Sequence, residues 1–322
     1  GQNYDYNLDQ VFFKELGVRE PNYRINSKSN TFGNQFSIIV KEIEKILITE
    51  KPDKVLILGD TNTDLSAIVA ERMGIPVYHM EAGNRCFDNK VTEEKNRRII
   101  DHISAYNLPY TQNSKQNLLI EGLDINKIFV IGNPILEVIE NFRNEIGMSK
   151  IFDKLDLYHK KYVLVTAHRS ENVDDNYRLS SIISAIKEIC DSCISKVVFS
   201  CHPRTRSKLE KFGIDTNISN LILSEPFGFF DFIKLEIGAK CVITDSGTVQ
   251  EECSILNIPA VIIRDSTERP ETIECGASII SGLEKDDILR CFSLSYNSSP
   301  VWASPYNERY VSERVVKLLL GK

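Results

Sequence analysis

Several features that commonly identify a protein are absent from this sequence of 322 residues. No strand-like run is followed by a GxGxxG motif, and no Walker loop is present, so the two commonest nucleotide-binding fingerprints are excluded. No apolar run reaches the roughly 18 residues that a transmembrane helix needs, and the polar, acidic start does not resemble a signal peptide. We therefore expect a cytoplasmic protein without a membrane partner.

Cysteine patterns that would indicate a disulfide framework or a metal centre are also lacking. The eight cysteines are dispersed, several of them in apolar segments, which is typical of reduced interior thiols in a cytosolic protein. Cys190 and Cys193 form a single CxxC pair with no second pair and no nearby group of histidines. We predict no disulfide framework, no metal and no cofactor.

The charge of the chain excludes two further classes of partner. The formal net charge is −6 and the pI is about 5.6, and the lysines and arginines are scattered rather than clustered. This pattern argues against a nucleic acid or an anionic membrane as the main partner. We expect the basic side chains to act as local anion clamps.

The hydrophobic pattern predicts the fold class. From residue 36 onward, helix-like apolar periods alternate with strand-like ones, which indicates βα units around parallel sheets. A chain of 322 residues with 42% hydrophobic content can fill two cores. We predict an α/β protein with two Rossmann-like domains facing a cleft, at residues 1–150 and 151–322. The polar residues 144–160 are predicted to be an irregular connection, and an amphipathic helix at about 311–320 is expected to close the second domain. Strands are predicted at 55–58 and 77–80 in the first domain, and in the second they begin near 162, 197, 221, 242, 260 and 278.

Two predicted strands of the second domain end in a burst of polar residues. One polar segment contains His168 and Arg169, and the other contains Ser246, Gly247 and Thr248. In open parallel sheets, ligands bind at the carboxyl ends of the strands, where the next helix offers free N–H groups to an anion. Because Gly247 permits close approach, the second segment is predicted to bind phosphate groups.

Charged residues near this predicted phosphate site indicate a larger ligand. Glu251 and Glu252 would repel the anion if both faced it, so one of them is expected to turn toward hydroxyl groups such as those of a ribose. Arg264 and Arg269 follow the next strand and add two cations to the same edge. A capped helix start with Pro270 in its first turn is the alternative reading, and it is compatible with anion binding.

Carboxylates close two consecutive strands of the first domain. Asp60 and Glu81 follow these strands, and Glu93 begins a later helix. Each carboxylate alone could be a helix cap or a first-turn charge, and His168 alone could be a solvated loop histidine. Together, opposite His168 and Arg169 of the other half, the carboxylates are less readily explained as caps. His202 is instead predicted to start a helix, with no catalytic role.

Over nearly its whole length the sequence resembles the non-hydrolysing UDP-N-acetylglucosamine 2-epimerases of bacterial and archaeal surface-sugar pathways. The order and spacing of six segments carry this resemblance, because any one of them is weakly specific. The segments are Gly59-Asp60-Thr61, Met80 to Arg85, Glu93-Glu94 with Asn96-Arg97, Thr166 to Arg169, Asp245-Ser246-Gly247 with Gln250-Glu251-Glu252, and Thr267 to Glu271.

The resemblance implies two Rossmann-like domains of the glycosyltransferase B type, usually in a homodimer. The ligand would be a UDP-linked 2-acetamido sugar, held mainly by the C-terminal domain. Ser246 and Gly247 would bind the diphosphate, Glu252 the ribose, and the backbone near Phe227 the uracil. The predicted binding residues are Arg169, Phe227, Ser246, Gly247, Thr248, Glu252 and Arg269, and the predicted catalytic residues are Asp60, Glu81, Glu93 and His168.

The chemistry of such a substrate explains this choice of residues. The C2 proton of an N-acetylhexosamine is not acidic, so its removal requires UDP to leave C1 in the same event, which gives a glycal. Carboxylates on different sides of the ring could remove the proton from one face and return one to the other. The residues alone do not rank Asp60, Glu81 and Glu93, whereas a protonated His168 and the helix after Ser246 would stabilise the leaving diphosphate.

The chain departs from the family pattern at its amino terminus. The family's Gly-Thr-Arg-Pro-Glu segment, which supplies an arginine to the nucleotide site, precedes the match to Gly1-Gln2. We therefore expect that an N-terminal segment is missing. Tyr4 and Asp5 differ from the pattern of the regulatory second-substrate site that some members have, which leaves allostery open.

Alternative activities remain open on the sequence. Residues 84–88 and 101–104 are also similar to relatives that epimerise modified UDP sugars, such as 6-deoxy or diacetamido-uronic forms. A glycosyltransferase, a hydrolysing epimerase and a UDP-sugar sensor without turnover are further alternatives, and the fold alone does not separate them.

Overall fold

A computed structural model of the chain describes residues 10–192, 196–298 and 301–321. None of the helices in this described part is long and apolar enough to cross a membrane. The expectations that fall outside the described residues are those on Gly1-Gln2, Tyr4, Asp5 and Cys193.

The helices and strands follow one another in the order expected of βα units. The strands are β1 (Val55–Leu58), β2 (Val77–Met80), β3 (Tyr106–Leu108), β4 (Tyr162–Ala167), β5 (Lys196–Cys201), β6 (Leu221–Ser224), β7 (Cys241–Thr244), β8 (Ala260–Ile262) and β9 (Ser278–Ile280). The helices are α1 (Gln10–Glu15), α2 (Phe32–Glu50), α3 (Ala67–Arg72), α4 (Thr92–Ile103), α5 (Gln112–Ile120), α6 (Ile135–Asn141), α7 (Arg143–Met148), α8 (Ile151–Leu155), α9 (Ser170–Val173), α10 (Asn176–Ser192), α11 (Pro203–Phe212), α12 (Phe229–Gly238), α13 (Gly247–Leu256), α14 (Pro270–Glu274), α15 (Lys285–Asn297) and α16 (Val311–Leu320).

The described residues form two compact α/β units. The first unit comprises residues 19–134 and 308–321, and its parallel sheet has the strand order β1-β2-β3. The second comprises residues 10–18 and most of 135–307, and its parallel sheet has the order β6-β5-β4-β7-β8-β9. The strand order reverses direction between β4 and β7, and such a switch point is where open α/β sheets bind ligands.

The central strand β4 is buried along its whole length and forms the core of the second unit. Val163 and Val165 belong to the hydrophobic cluster that includes residues of α10 and α15, on one face of the sheet. Leu164 points to the opposite cluster, which includes residues of α12 and α13. Because both faces are covered, the strand is a continuous apolar run, as in other parallel sheets.

Most of the predicted elements are confirmed, but the irregular connection predicted at residues 144–160 is wrong. This stretch contains most of α7 and all of α8. Ile146 of α7 packs with Ile233 of α12, and Ile151 of α8 packs with Leu235. Each short helix buries one isoleucine at its centre or start, which is too little for a detectable helical period.

The closing helix α16 has the predicted bounds but belongs to the first unit, in contrast to its predicted place in the second domain. Its Val311 and Val315 pack in one cluster with Tyr78 and Met80 of β2. Within the described residues the chain therefore passes from one unit to the other at 18/19, 134/135 and 307/308, and none of these boundaries coincides with the predicted division at residue 150.

We expect Leu164→Ala to lower the free energy of unfolding by about 2–5 kcal/mol, because it leaves a cavity beside the central strand. Leu164 is 0% exposed. Leu320→Ala is the matched control, since Leu320 is 82% exposed and its loss should cost about 0.5 kcal/mol or less. Urea unfolding followed by circular dichroism measures both, and equal losses in the two variants would contradict this account of the core.

Candidate active site

In the first unit, helix α4 holds the carboxylate of Asp60, which follows β1. The Nε and Nη2 atoms of Arg97 lie 2.9 and 2.8 Å from Asp60 Oδ2, and the Arg97 guanidinium is itself buried. The adjacent Asn96 donates from its side-chain amide to the carbonyl oxygen of Asp60 at 2.9 Å. Two consecutive residues of one helix therefore orient both the backbone and the side chain of Asp60.

Glu81 lies beside the turn that carries Asp60. Its φ of 67° is in the left-handed region, which a glutamate occupies only when its surroundings hold it there. The Asn84 amide donates to Glu81 Oε1 at 3.3 Å, and a Cβ built on Gly59 would lie 3.8 Å from Glu81 Oε2. The structure therefore brings Asp60 and Glu81 to the same edge of the sheet, as the sequence predicts.

The two glutamates at the start of α4 have different roles. Glu94 is fully buried and accepts hydrogen bonds from the Cys86 backbone at 3.0 Å and from Arg98 at 3.0 and 3.2 Å. Glu93 is half-buried in the first turn of the helix. Glu94 therefore has a structural role, because it fixes the Cys86 backbone and Arg98. Glu93 is the more accessible of the two glutamates.

In the second unit, the buried carboxylate of Asp245 organises the turn after β4. It accepts hydrogen bonds from the backbone N–H groups of His168 and Arg169 at 3.0–3.1 Å and from the Asn172 amide at 3.0 Å. The Nδ1 atom of His168 also lies 3.2 Å from Asp245 Oδ1, while the ring is 40% exposed. His168 therefore presents its other ring nitrogen away from Asp245.

The amino terminus of α13 has the geometry of an anion site. Ser246 caps the helix by accepting a hydrogen bond from the Val249 N–H, and Thr248 is exposed in the first turn. Gly247 is buried, and a Cβ at this position would lie 2.8 Å from Glu268 Oε1. The first N–H groups of a helix have no partners within it and attract anions.

Three arginines and two glutamates cluster next to this helix terminus. Glu268 lies 3.0 Å from Arg169, 2.8 Å from Arg264 and 3.8 Å from Arg269, and Arg269 also donates to Glu251. Guanidinium groups bind phosphate oxygens through paired hydrogen bonds, so their position beside this helix terminus is suited to an anion such as a diphosphate.

The next glutamate of α13 has a different neighbour. Glu252 is 5% exposed and contacts Glu236 of α12, which is 0% exposed. Burial and the charge of Glu252 raise the pKa of Glu236 well above its usual range, and burial also raises the pKa of Glu252. Two buried carboxyl groups so close together do not both ionise, and the raised pKa of Glu236 favours its protonated form. Glu251 is instead paired with Arg269, so the two consecutive glutamates of α13 have different partners.

The remaining predicted positions are placed as follows. Phe227 lies partly buried in the loop between β6 and α12 and packs against the core cluster around Leu164. His202 caps the amino terminus of α11, as predicted, with its Nδ1 accepting from the Arg204 N–H at 3.0 Å. No group of three or more residues suited to a metal ion is found among the described residues.

Three residues that orient the site were not assigned to it from the sequence. Arg97, Asp245 and Glu268 each lie within a segment that carries the family resemblance, which is the signal that could have identified them. They were missed because a charged residue near a strand end or a helix start is ordinarily exposed to solvent. The structure shows that all three are buried and that each contacts a predicted site residue: Arg97 contacts Asp60, Asp245 contacts His168, and Glu268 contacts Arg169.

Comparisons with known proteins identify the family. The family model described as UDP-N-acetylglucosamine 2-epimerase matches residues 1–320. The chain belongs to the UDP-N-acetylglucosamine 2-epimerase family. The members of this family are isomerases, and so is this protein. Both the resemblance expected from the sequence and the glycosyltransferase B type of fold are confirmed.

The similar proteins cover almost the whole chain. The UDP-N-acetylglucosamine 2-epimerase of Methanocaldococcus jannaschii is 41% identical over 99% of this chain and 89% of its own length. The crystal structure of the Methanocaldococcus jannaschii UDP-GlcNAc 2-epimerase in complex with UDP-GlcNAc and UDP gives a TM-score of 0.94 at 40% identity, covering 99% of this chain and 90% of that one. A UDP-2,3-diacetamido-2,3-dideoxy-D-glucuronate 2-epimerase of Pseudomonas aeruginosa is 33% identical, over 90% of this chain and 80% of its own.

We expect Asp245→Asn to lower the free energy of unfolding by about 1–3 kcal/mol, because the new amide group would oppose N–H donors in a buried position. The control is Asp265→Asn, whose side chain is 55% exposed and pairs with Arg178 at 2.9 Å. This exposed pair should contribute about 1 kcal/mol or less. Chemical denaturation measures the difference, and unchanged stability of Asp245→Asn would show that Asp245 does not organise the turn.

Proposed function

We propose that this protein interconverts UDP-N-acetylglucosamine and UDP-N-acetylmannosamine without hydrolysis. The observation that carries the proposal is the presence in one chain of oriented carboxylates at a strand edge and of a cationic helix terminus. The first is suited to moving a proton, and the second to stabilising a leaving diphosphate. The Methanocaldococcus jannaschii relative, whose crystal structure contains UDP-GlcNAc and UDP, supports this class of substrate.

The reaction is an elimination followed by an addition. A carboxylate removes the C2 proton, the electron pair of that C–H bond forms the C1=C2 double bond, and the C1–O bond breaks to release UDP. UDP then adds back to C1 of the glycal while a proton is delivered to the opposite face of C2. Only the configuration at C2 changes, and no water is consumed.

The proton-transferring groups are drawn from Asp60, Glu81 and Glu93. The Arg97 pair at 2.8–2.9 Å fixes the direction of the Asp60 carboxylate, and the backbone at Glu81 is held in an uncommon conformation. Pre-oriented carboxylates of this kind transfer protons efficiently because little reorganisation is needed in the transition state. Variants of the three residues distinguish the one that acts on each face of the sugar.

The leaving group is stabilised by residues of the second unit. His168, oriented by Asp245, donates to the departing diphosphate, while Ser246 and the N–H groups after it receive its oxygens. The guanidinium groups of Arg169, Arg264 and Arg269 lie beside this helix terminus and offer further donors to the diphosphate. The remaining binding roles are the ribose for Glu252, the uracil for the backbone near Phe227, and the diphosphate for Gly247, Thr248, Arg169 and Arg269.

A second candidate substrate is a modified UDP sugar. The 33% identity to the diacetamido-glucuronate 2-epimerase of Pseudomonas aeruginosa favours this alternative, because it extends over 90% of the chain. The elimination and addition steps at C1 and C2 are the same for both substrates. The substituents at C3 and C6 distinguish them, so the choice is made by contacts to those positions.

We further propose that the protein acts as a cytoplasmic homodimer that supplies a precursor for a surface polysaccharide. The family resemblance supports this assignment. Sedimentation equilibrium of the purified protein tests the dimer.

Incubation with UDP-N-acetylglucosamine in D2O tests the reaction. We expect proton NMR to show the UDP-linked manno epimer with deuterium at C2, because the abstracted proton exchanges with solvent. Free N-acetylmannosamine with UDP would instead indicate a hydrolysing enzyme. Exchange only with a UDP-diacetamido-uronate would establish the second substrate, and tight UDP binding without turnover of either sugar would contradict an enzymatic role.

We expect Asp60→Asn, Glu81→Gln and Glu93→Gln each to lower kcat by a factor of roughly 10²–10⁴, because each removes a proton-transferring group while keeping the size of the side chain. Glu42→Gln is the control, since the Glu42 side chain on α2 is 43% exposed and pairs with the nearby Lys45. The assay follows epimerisation and C2 deuterium exchange together. A variant that keeps full activity is thereby removed from the catalytic set.

A further inference from the structure

We propose that His79 is held as a buried imidazolium cation that positions the two catalytic strand ends of the first unit. The strands are β1, which leads to Asp60, and β2, which contains His79 and leads to Glu81. This inference rests on the proposed function for its kinetic consequence, whereas the charge state of His79 is testable in the free protein.

Both ring nitrogens of His79 face hydrogen-bond acceptors. Nδ1 lies 2.8 Å from Asp101 Oδ1, and Nε2 lies 2.8 Å from the carbonyl oxygen of Gly59. A carbonyl oxygen can only accept, and a neutral imidazole has one N–H group. Since His79 is 0% exposed, no water replaces a missing contact, and both nitrogens must carry a proton.

The partner Asp101 is itself held as a carboxylate. Its second oxygen lies 2.7 Å from Arg85 Nη1 and accepts from the Gly83 backbone N–H at 3.1 Å. Arg85 also donates to both oxygens of Glu121 at 2.7 and 2.8 Å. A neutral His79 would leave the buried Asp101 carboxylate with Arg85 as its one cationic contact among the described residues, and Arg85 is shared with Glu121; a charged His79 gives Asp101 a cation of its own.

The electrostatic surroundings act in the same direction. Burial disfavours the charged ring, but the hydrogen bond and charge of Asp101 and the carbonyl of Gly59 outweigh burial and raise the pKa of His79 above its usual 6.5. The charged groups around the ring are Asp101, Arg85, Glu81 and Asp64. The stabilisation from His79 is therefore complete below pH 6.5 and is lost as the pH rises through the raised value.

The contacts of the cation lead directly to the catalytic residues. Gly59, which receives one N–H, immediately precedes Asp60, and His79 stands two residues before Glu81. Gly83 is tied to the same carboxylate on the other side of Glu81. Loss of the proton would leave a lone pair facing an acceptor oxygen, and the two strand ends would move relative to each other. His79 is thus a positioning residue that acts through Asp60 and Glu81.

Nitrogen-15 NMR of the histidine rings in the free protein measures the charge directly. We expect both His79 nitrogens to have the chemical shifts of an imidazolium at pH 7.5, whereas an exposed ring is mostly neutral there. Variants of the other four histidines assign the signal. A neutral His79 ring at this pH overturns the inference, whether or not the protein turns over a UDP sugar and whether or not a His79 variant folds.

The kinetic test compares His79→Gln with His102→Gln. Glutamine keeps one donor but no positive charge, so we expect kcat to fall roughly tenfold to hundredfold, as small misplacements of catalytic groups do, with KM changed less than about twofold. His102 is adjacent to Asp101 on α4, its side chain is 46% exposed, and its replacement should leave kcat unchanged.

The pH profile separates positioning from a loss of folding. In the wild type and in His102→Gln, kcat should decline as the pH rises through the raised pKa of His79, because the neutral ring no longer holds Gly59. His79→Gln should lack this decline and remain slow at every pH. A folded His79→Gln protein with the kcat and the pH profile of the wild type would overturn the inference. Absence of epimerisation in the wild type, with His79 charged, would instead contradict only the proposed function.

Discussion

The second unit depends on the buried carboxylate of Asp245. Through two backbone N–H groups and one amide, it joins the end of β4 to the end of β7, and Asn172 extends the connection to the carbonyl of Ile263 after β8. These strands meet at the switch point of the sheet, where turns would otherwise leave backbone donors unpaired. One interior carboxylate thereby satisfies the turn and orients His168, so that structural and chemical requirements are met by the same group.

In the first unit, Asp101 has the corresponding task of pairing a backbone donor in a turn at a strand end. It comes from helix α4 and not from the end of a strand. It accepts hydrogen bonds from His79 and the Gly83 backbone and forms an ion pair with Arg85. Such networks carry a large desolvation cost, and complete pairing is what offsets it. Apolar residues of the same volume would avoid that cost, but they would not specify the direction of a turn. In both units a buried carboxylate with several partners lies behind the partly exposed groups that we propose to be catalytic.

Elements that depend on local pattern were predicted well. The strands Val55–Leu58 and Val77–Met80 have the predicted bounds, because short apolar runs between turn residues mark strands of a parallel sheet. The closing helix α16 has them too, yet the sequence did not show that it packs on β2 of the first unit. An amphipathic period reveals that a face is buried but not what covers it. The short helices α7 and α8 were missed for the related reason that each buries a single isoleucine.

The sequence by itself determined which side chains lie at the strand ends. Asp60 and Glu81 directly follow apolar runs, and parallel strands bring such residues to one edge. The tertiary structure alone decided how these groups are paired. Arg97 reaches Asp60 across 37 residues, Arg169 reaches Glu268 across 99, and His79, within a predicted strand, acquires its charge from Asp101. Periodicity is a local property of the chain, whereas ion pairing and burial depend on which distant segments the fold brings within about 3 Å of one another.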